Sequence, residues 1–332
     1  MKKFKYPMRY MPVTATILVF FLVYLVGIVC FYNDNFGSAG NFLNFFKARP
    51  FLGIAAVGTA LVILSGGIDL SVGSVIAFTS ILIAKLIASG CNAFLVAIFA
   101  LVIGILFGML QGWLIHSFSL PPFLVTLAGM FLIRGCGFLI SEVQIGEKDI
   151  GGDPVISFFQ EKLSIPLSGG LDITFEVVIH ILILIAAIVF SLCTRAGRRI
   201  YAVGDNELAA TLMGIPVGRT KIMTYSIAGF CSALGGVAYV FAKSQGDPAD
   251  CVGWEMDAIA AVVIGGTLLT GGVGYVFGSL FGVLILALIQ KLVEFSNIDA
   301  SWTRIIVGLL MLAFIFMQNL ITKVSKSKSK SH

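Results

Sequence analysis

The chain has 332 residues, of which 58% are hydrophobic and only 12% charged, about half the charged share of an ordinary soluble domain. With a mean hydropathy of +1.01, it carries more apolar side chain than one water-soluble core of this length can hide, and a lipid bilayer is the solvent that fits. The net charge of +5 sits in clusters outside the apolar runs, which is not the spread basic face of a nucleic-acid binder.

A helix needs about twenty apolar residues to cross the hydrocarbon. In chain order the spans fall at 11–32, 50–66, 71–89, 93–116, 121–141, 176–194, 221–243, 255–270, 272–293 and 302–321. The expected fold is an all-α integral membrane protein of about ten transmembrane helices, eight if a broken pair is re-entrant. The first run follows a basic segment and has no small-residue cleavage pattern after it, so it reads as a retained helix and not a signal peptide. The second and third spans almost touch, as do the eighth and ninth, and each pair is joined by a glycine-rich break. One domain covers 1–332, with halves of about 50–145 and 220–321.

Lysine and arginine positions set the orientation. Lys2, Lys3, Lys5 and Arg9 precede the first span; Arg195, Arg198, Arg199, Arg219 and Lys221 flank the loop 195–220; Lys323, Lys326, Lys328 and Lys330 fall in a basic tail, 322–332. An even span count puts all three clusters on the cytoplasmic side. The opposite side then holds the longest loop, 142–175, which with Glu176 carries seven acidic residues and two lysines. The six cysteines have no C-x-x-C spacing. Most lie in apolar runs as small hydrophobes, and no framework supports a bridge between Cys91 and Cys251 in the short outer loops.

The most informative pattern is internal. Shifted by 205 residues, Ile54 to Ser74 (IAAVGTALVILSGGIDLSVGS) lies without a gap over Ile259 to Ser279 (IAAVVIGGTLLTGGVGYVFGS), with nine identities in 21 positions. Transporters are often built from two repeats, with the substrate path where interrupted helices meet. A glycine break is costly in lipid unless its freed backbone groups line a cavity or find protein partners. The candidate path and gate residues are therefore Ser65, Gly66, Gly67 and Asp69 in the first break, Gly271 and Gly272 in the second, and Thr126, Arg134 and Asp257 in the neighbouring spans. Asp69 reads either as an N-cap for a helix beginning at Leu70 or as a gating group. Arg134 reads either as the partner of an acidic residue such as Asp69 or Asp257 or as part of a polar lining. Thr126 offers a hydroxyl to a solute or to its own helix. Trp254 suits an interfacial anchor, with sugar stacking as the rival role.

Within 195–220, Asp205 or Asn206 suits an N-cap and Glu207 a first turn. Gly214 stops the helix and Pro216 prevents its resumption. The expected product is a two-turn helix with Leu208 and Leu212 on one face, either an interfacial helix or a docking element for a soluble motor. No G-x-x-x-x-G-K-[ST], H-E-x-x-H or G-x-S-x-G occurs, and His116, His180 and His332 are isolated. No catalytic or metal site is expected.

The runs VILSGGIDLSVGSVIAFT (62–79), PFLVTLAGMFLIRG (122–135) and MDAIAAVVIGGTLLTGGVG (256–274) resemble the permease subunits of bacterial ATP-binding-cassette importers for simple sugars. The likeness runs from about residue 50 to 321; ribose-type permeases share the pattern, and it is nearest to the galactofuranose permease subfamily. It implies a multi-pass inner-membrane subunit that imports a furanose or pentose sugar by alternating access. The implied partners are cytoplasmic ATPase subunits, a second permease subunit (the same or a related chain), a periplasmic or lipid-anchored sugar-binding protein, and membrane lipid. ATP and Mg would sit on the partner ATPase, with no cofactor on this chain. The importer-class E-A-A…G coupling loop matches at Glu207, Ala209, Ala210 and Gly214, flanked by Ile215 and Pro216, although Leu208 stands where the first alanine would. An ion-driven secondary transporter, or an importer of branched-chain amino acids or an autoinducer, is the alternative.

Overall fold

The computed structural model describes residues 11–162, 165–167, 171–299 and 301–329. Lys2, Lys3, Lys5, Arg9, Lys330 and His332 lie outside them. The fold is all-α apart from one short hairpin. Its first elements are α1 (Met11–Cys30), α2 (Ala39–Ala48), α3 (Pro50–Leu64), α4 (Val72–Ala88), α5 (Ala93–Ser117) and α6 (Pro122–Ile140). After α7 (Glu147–Ile150), α8 (Pro154–Lys162) and the antiparallel strands β1 (Ile165–Leu167) and β2 (Leu171–Ile173) come α9 (Phe175–Cys193), α10 (Arg195–Asp205), α11 (Glu207–Leu212) and α12 (Val217–Lys243). The chain closes with α13 (Trp254–Ile264), α14 (Gly278–Phe295) and α15 (Ser301–Ser329).

Six of these helices are long and apolar enough to cross a membrane, and a seventh is added if α2 and α3, bent by 57°, form one span. This is a multi-pass membrane protein whose outer surface is apolar. Leu139 is 88% exposed, and Leu18, Phe131 and Phe316 are similarly bare. α3 is the reverse. Every residue from Pro50 to Leu64 is buried, as a helix that is hydrophobic all round must be when it sits at the centre of a bundle.

The tightest packing joins α5 to α12. Gly104, Gly108 and Gly112 fall at four-residue spacing on one face of α5, where the α12 backbone presses directly on them. A Cβ on Gly108 would stand 2.1 Å from Tyr225 O, and one on Gly229 2.1 Å from Gly104 O. Small residues at this spacing let two membrane helices approach closely.

The loop ends show how the bundle is tied. At the end that holds α10 and α11, the His116 ring sits against Gly218 and the start of α1 sits against Gly266. At the opposite end Ile145 and Gly246 exchange backbone hydrogen bonds. There Gln160 Nε2 donates to Phe241 O and to Ser244 Oγ, each at 2.9 Å. The described residues of 142–175 thus include α7, α8 and the β1–β2 hairpin, and Ile145 and Gln160 tie them to the end of α12 and the loop after it.

Several expected boundaries move. The eighth span ends at Ile264 and not at 270, and the ninth begins at Gly278 and not at 272. The cause is the pair Gly265-Gly266. Gly266 takes φ +92 and closes a Schellman motif through Gly266 N to Val263 O (2.9 Å) and Thr267 N to Val262 O (3.2 Å). In the first break the same role belongs to Gly66 (φ +81), with Gly66 N to Ile63 O and Gly67 N to Val62 O. The 205-residue shift lays Gly66 over Gly271, so the two breaks do not open at the same point: residues 65–71 are non-helical in one and 265–277 in the other. Pro216 does not prevent resumption of the helix but stands immediately before α12, which starts at Val217. The segment expected as a basic tail continues α15 to Ser329. Cys91 is exposed and Cys251 buried, and both are free thiols.

Replacing Gly108 by Val forces α5 from α12. Gly135, with nothing within 4 Å of its Cβ position, is the control. Gly108→Val is expected to cost at least the roughly 1–3 kcal/mol typical of overpacking and to move the protein from a monodisperse peak into aggregate on size-exclusion chromatography. Gly135→Val is expected to elute as wild type.

Candidate coupling and translocation site

The two interrupted helices meet each other. α3 ends at Leu64, whose carbonyl has no helical partner further on. Gly272 N, from the second break, donates to it at 3.0 Å. Around this bond four glycines bring three backbones together. A Cβ on Gly271 would stand 2.7 Å from Gly66 Cα, one on Gly272 2.6 Å from Asp205 Cα, and one on Gly204 1.9 Å from Leu64 O. Gly271 and Gly272 also adopt φ +83 and +70, which L side chains disfavour. The third backbone is the C-terminal end of α10. Tyr201 Oη, one turn earlier in that helix, donates to Gly274 O at 3.2 Å. Thr16 of α1 donates to Ile264 O, the last carbonyl of α13.

The rest of the first break is satisfied in the same way. Ser65 is buried and returns its hydroxyl to Val62 O at 2.7 Å. Ile68 O accepts from Tyr225 Oη (3.3 Å) and from Thr126 Oγ1 (3.2 Å), and Thr126 also bonds Pro122 O in its own helix. Thr126 is fully buried, and its hydroxyl bonds the break and its own helix. Gly67 lies under the Tyr225 phenol. Asp69 is 2% exposed. Its Oδ1 accepts from Ser71 N (2.8 Å) and Ser71 Oγ (2.7 Å). That is an Asx-type turn leading into α4 at Val72, and not the cap of a helix from Leu70. Gln111 Oε1 stands 3.4 Å from Ser71 Oγ, while Gln111 Nε2 is buried without a partner among the described residues.

Arg134 and Asp257 do not pair with each other, nor Arg134 with Asp69. Arg134 reaches Ser74 Oγ (3.1 Å) and the carbonyls of Pro248 (3.2 Å) and Asp250 (3.1 Å), so it ties α6 to the start of α4 and to the loop after α12. Asp257 Oδ2 instead accepts from Arg49 Nη1 at 2.6 Å. Arg49 occupies the bend between α2 and α3. Trp254 opens α13 half-buried, its ring edge-on to Tyr239 at 6.3 Å.

The short exposed helix forms as its sequence dictates. Asn206 is the cap, with Oδ1 accepting from Ala209 N at 2.9 Å. Asp205 is not a cap but the last residue of α10. Glu207 pairs with Lys221 of α12 at 2.7 Å. Ala210 is buried, and Gly214 (φ +76) ends the helix through Ile215 N to Ala210 O. Leu208 and Leu212 project outward at 72% and 81% exposure. The sequence reading missed α10. Its apolar Gly197, Ile200 and Val203 are buried while Arg195, Arg198 and Arg199 are exposed. That 3.6-residue stripe was the available signal. Arg49, Gly204, Tyr201 and Tyr225 were not singled out either, since each acts on a partner far away in sequence: Arg49 on the side chains of Asp257 and Gln290, the other three on distant backbone.

The family described as the permease component of branched-chain amino acid transport systems matches residues 41–315. The chain is 37% identical to the fructose import permease protein FruG of Bifidobacterium longum, over 98% of this chain and 96% of that one. It is 40% identical to the inner membrane ABC transporter permease protein YjfF of Escherichia coli, over 97% and 96%. The ribose import permease protein RbsC of Escherichia coli is 33% identical over 90% of this chain and 91% of its own. No solved structure matches.

A methyl group on Gly204 points at the Leu64 carbonyl, whereas one on Gly214 meets open space and faces only its left-handed backbone. Gly214→Ala is expected to cost about 1–2 kcal/mol, local to α11. Gly204→Ala is expected to lower the melting temperature of the whole detergent-solubilised protein clearly further. Equal melting temperatures would show that the glycine junction is not tightly packed.

Proposed function

The chain belongs to the family of transport permease components, and on that premise we propose that it is the membrane-spanning subunit of an ATP-driven sugar importer. The observation that carries this reading is a capped, outward-facing α11 bearing two bare leucines, continuous through α10 with the place where both helix breaks meet. A coupling element needs both properties: a surface to receive force and a rigid route to the path. Identity of 33–40% to permeases over nearly their whole length supports the class. Two of those relatives carry names that specify fructose and ribose import. A neutral monosaccharide of ketose, pentose or furanose type, galactofuranose included, is the substrate class we infer.

In this reading α11 with Asp205, Asn206, Glu207, Ala209, Ala210, Gly214, Ile215 and Pro216 docks on a cytoplasmic ATPase subunit, which holds ATP and Mg. Both termini and the 195–220 segment lie on that side, and the 142–175 segment faces a sugar-binding protein. Ten crossings by α1, α3, α4, α5, α6, α9, α12, α13, α14 and α15 suit this orientation. α3, α4 and α13, of 15, 17 and 11 residues, are short for a span and are completed by α2 or by the non-helical breaks, which is permitted where the backbone is held by protein. The pairs α3–α4 and α13–α14 would then be the cores of two repeated halves. A second permease subunit completes the channel by covering part of the apolar surface.

Mechanically, ATP binding moves α11. α10 carries that motion to the Gly204–Leu64–Gly272 contact, and the breaks transmit it to α4 and α14. Ser65, Gly66, Gly67, Gly271 and Gly272 are the hinge, Asp69 and Thr126 hold its local geometry, and Arg134 and Asp257 fix the helices on the far side.

Affinity purification of the tagged chain from its native membrane tests this reading. A P-loop ATPase is expected to co-purify in near-equal amount. Leu208→Asp with Leu212→Asp is expected to release it while the permease still inserts. Absence of any ATPase after mild cross-linking, together with uptake driven by a proton or sodium gradient, would overturn the reading in favour of a secondary transporter.

A further inference from the structure

A cleft of about 570 Å³ opens at the end of the bundle opposite α11, between the starts of α13 and α15 and the last turns of α14. One wall carries a row of hydrogen-bonding groups. Arg49 Nη1 donates to Asp257 Oδ2 (2.6 Å) and Arg49 Nε to Gln290 Oε1 (3.0 Å). Gln290 Nε2 continues the row to Glu294 Oε1 (3.0 Å). Facing it are the half-buried indole of Trp254 and the apolar side chains of Val307 and Met311, with Thr303 at the rim.

We propose that this cleft is a binding subsite for a neutral monosaccharide, the place where the permease first receives its substrate. The inference rests on the importer reading above and names where the sugar sits. Three features point to that ligand class. The lining carries charges of both signs, Arg49 and Arg304 with Asp257 and Glu294, and Glu294 also pairs with Lys291 at 2.6 Å, so no cluster of one sign selects for an ionic solute. The Arg49–Asp257 pair uses one strand of a possible two-strand fork. Arg49 Nη2 and Asp257 Oδ1 have no protein partner among the described residues. The side chains are 21% and 31% exposed, so this is not a sealed strut. A planar donor beside a planar acceptor suits the adjacent hydroxyls of a sugar, and charge-assisted hydrogen bonds are the strong ones. The indole offers an apolar face for the C–H side of a sugar ring, and the volume lies within the range of small-molecule sites. Since Arg49 Nη1 and Nε, Asp257 Oδ2, Gln290 and Glu294 already bond one another, a sugar gains only the hydrogen bonds of the few atoms left over, and binding is weak, as a transit site requires.

Tryptophan occurs in this chain at positions 113, 254 and 302 only, so Trp113→Phe with Trp302→Phe leaves Trp254 as its single tryptophan, and its emission is the difference from the same transporter carrying Trp254→Phe. The assembled transporter in nanodiscs is titrated with D-fructose, D-ribose and D-galactose. A saturable change in Trp254 emission, in the millimolar range, is expected for a sugar that is transported. Gln290→Leu and Thr303→Val, both isosteric enough to keep the fold, are expected to weaken that response severalfold. In proteoliposomes they are expected to raise the KM for uptake by the same factor while the maximal rate holds. If a sugar is taken up with ATP but Trp254 does not respond and neither variant moves KM, the subsite is wrong and the importer stands. If Trp254 responds to added anionic phospholipid and not to transported sugar, the cleft is a lipid site. If no sugar is taken up with ATP, the importer reading fails and the subsite with it.

Discussion

The hydrogen bond from Gly272 N to Leu64 O joins two interrupted helices through their backbones. A bilayer offers no water to an exposed amide or carbonyl, so a membrane helix can stop only where protein satisfies what it frees. Here each break is satisfied largely by other elements: Leu64 O by the second break, Ile68 O by Tyr225 and Thr126, Gly274 O by Tyr201, and Ile264 O by Thr16. The four-glycine contact follows, because a backbone-to-backbone bond between separate elements leaves no space for Cβ atoms. The burial of α3 follows too, since the helix that carries the first break must sit at the centre, within reach of the second.

That constraint also explains why the exposed helix α11 matters. An element at the surface cannot move the interior unless something rigid connects them. α10 ends against Leu64 and Gly272, and Asn206 caps α11 directly after it. In the proposed reading, force applied at Leu208 or Leu212 passes to both breaks through α10, from which α11 is separated by Asn206 alone. The Arg49–Asp257 pair at the other end anchors the α2–α3 bend to α13, so α3 is held at both extremities and transmits displacement along its length.

Much of this was legible in the sequence, and the rest was hidden for identifiable reasons. Length and apolarity placed most of the helices to within a few residues, because a bilayer imposes one scale on every span. Asn206 and Gly214 were readable because caps depend on neighbouring residues only. The second break was drawn too short because two glycine pairs, 265–266 and 271–272, compete to end the helix, and the earlier pair closes the Schellman motif, with the start of α1 packed against Gly266. α10 passed for a loop since its arginines mask a regular apolar stripe. The partners of Arg134 and Asp257 could not be read, because nothing local in a sequence names a residue 114 or 208 positions away. The glycines at 104, 108 and 112 were a visible four-residue repeat, and their role became plain only once α12 was seen against them.

Rigid coupling between α11 and the helix breaks is most directly tested by distance. With the exposed native thiols Cys30, Cys91 and Cys193 replaced by serine, spin labels on Leu212→Cys in α11 and Leu139→Cys at the far end of α6, both well exposed, report by pulsed electron resonance in the assembled transporter. A shared motion predicts that the separation changes when non-hydrolysable ATP analogue binds the partner ATPase, and that Gly204→Ala, which disturbs the junction, abolishes the change. A separation that stays constant while sugar uptake runs at full rate would contradict transmission through this junction.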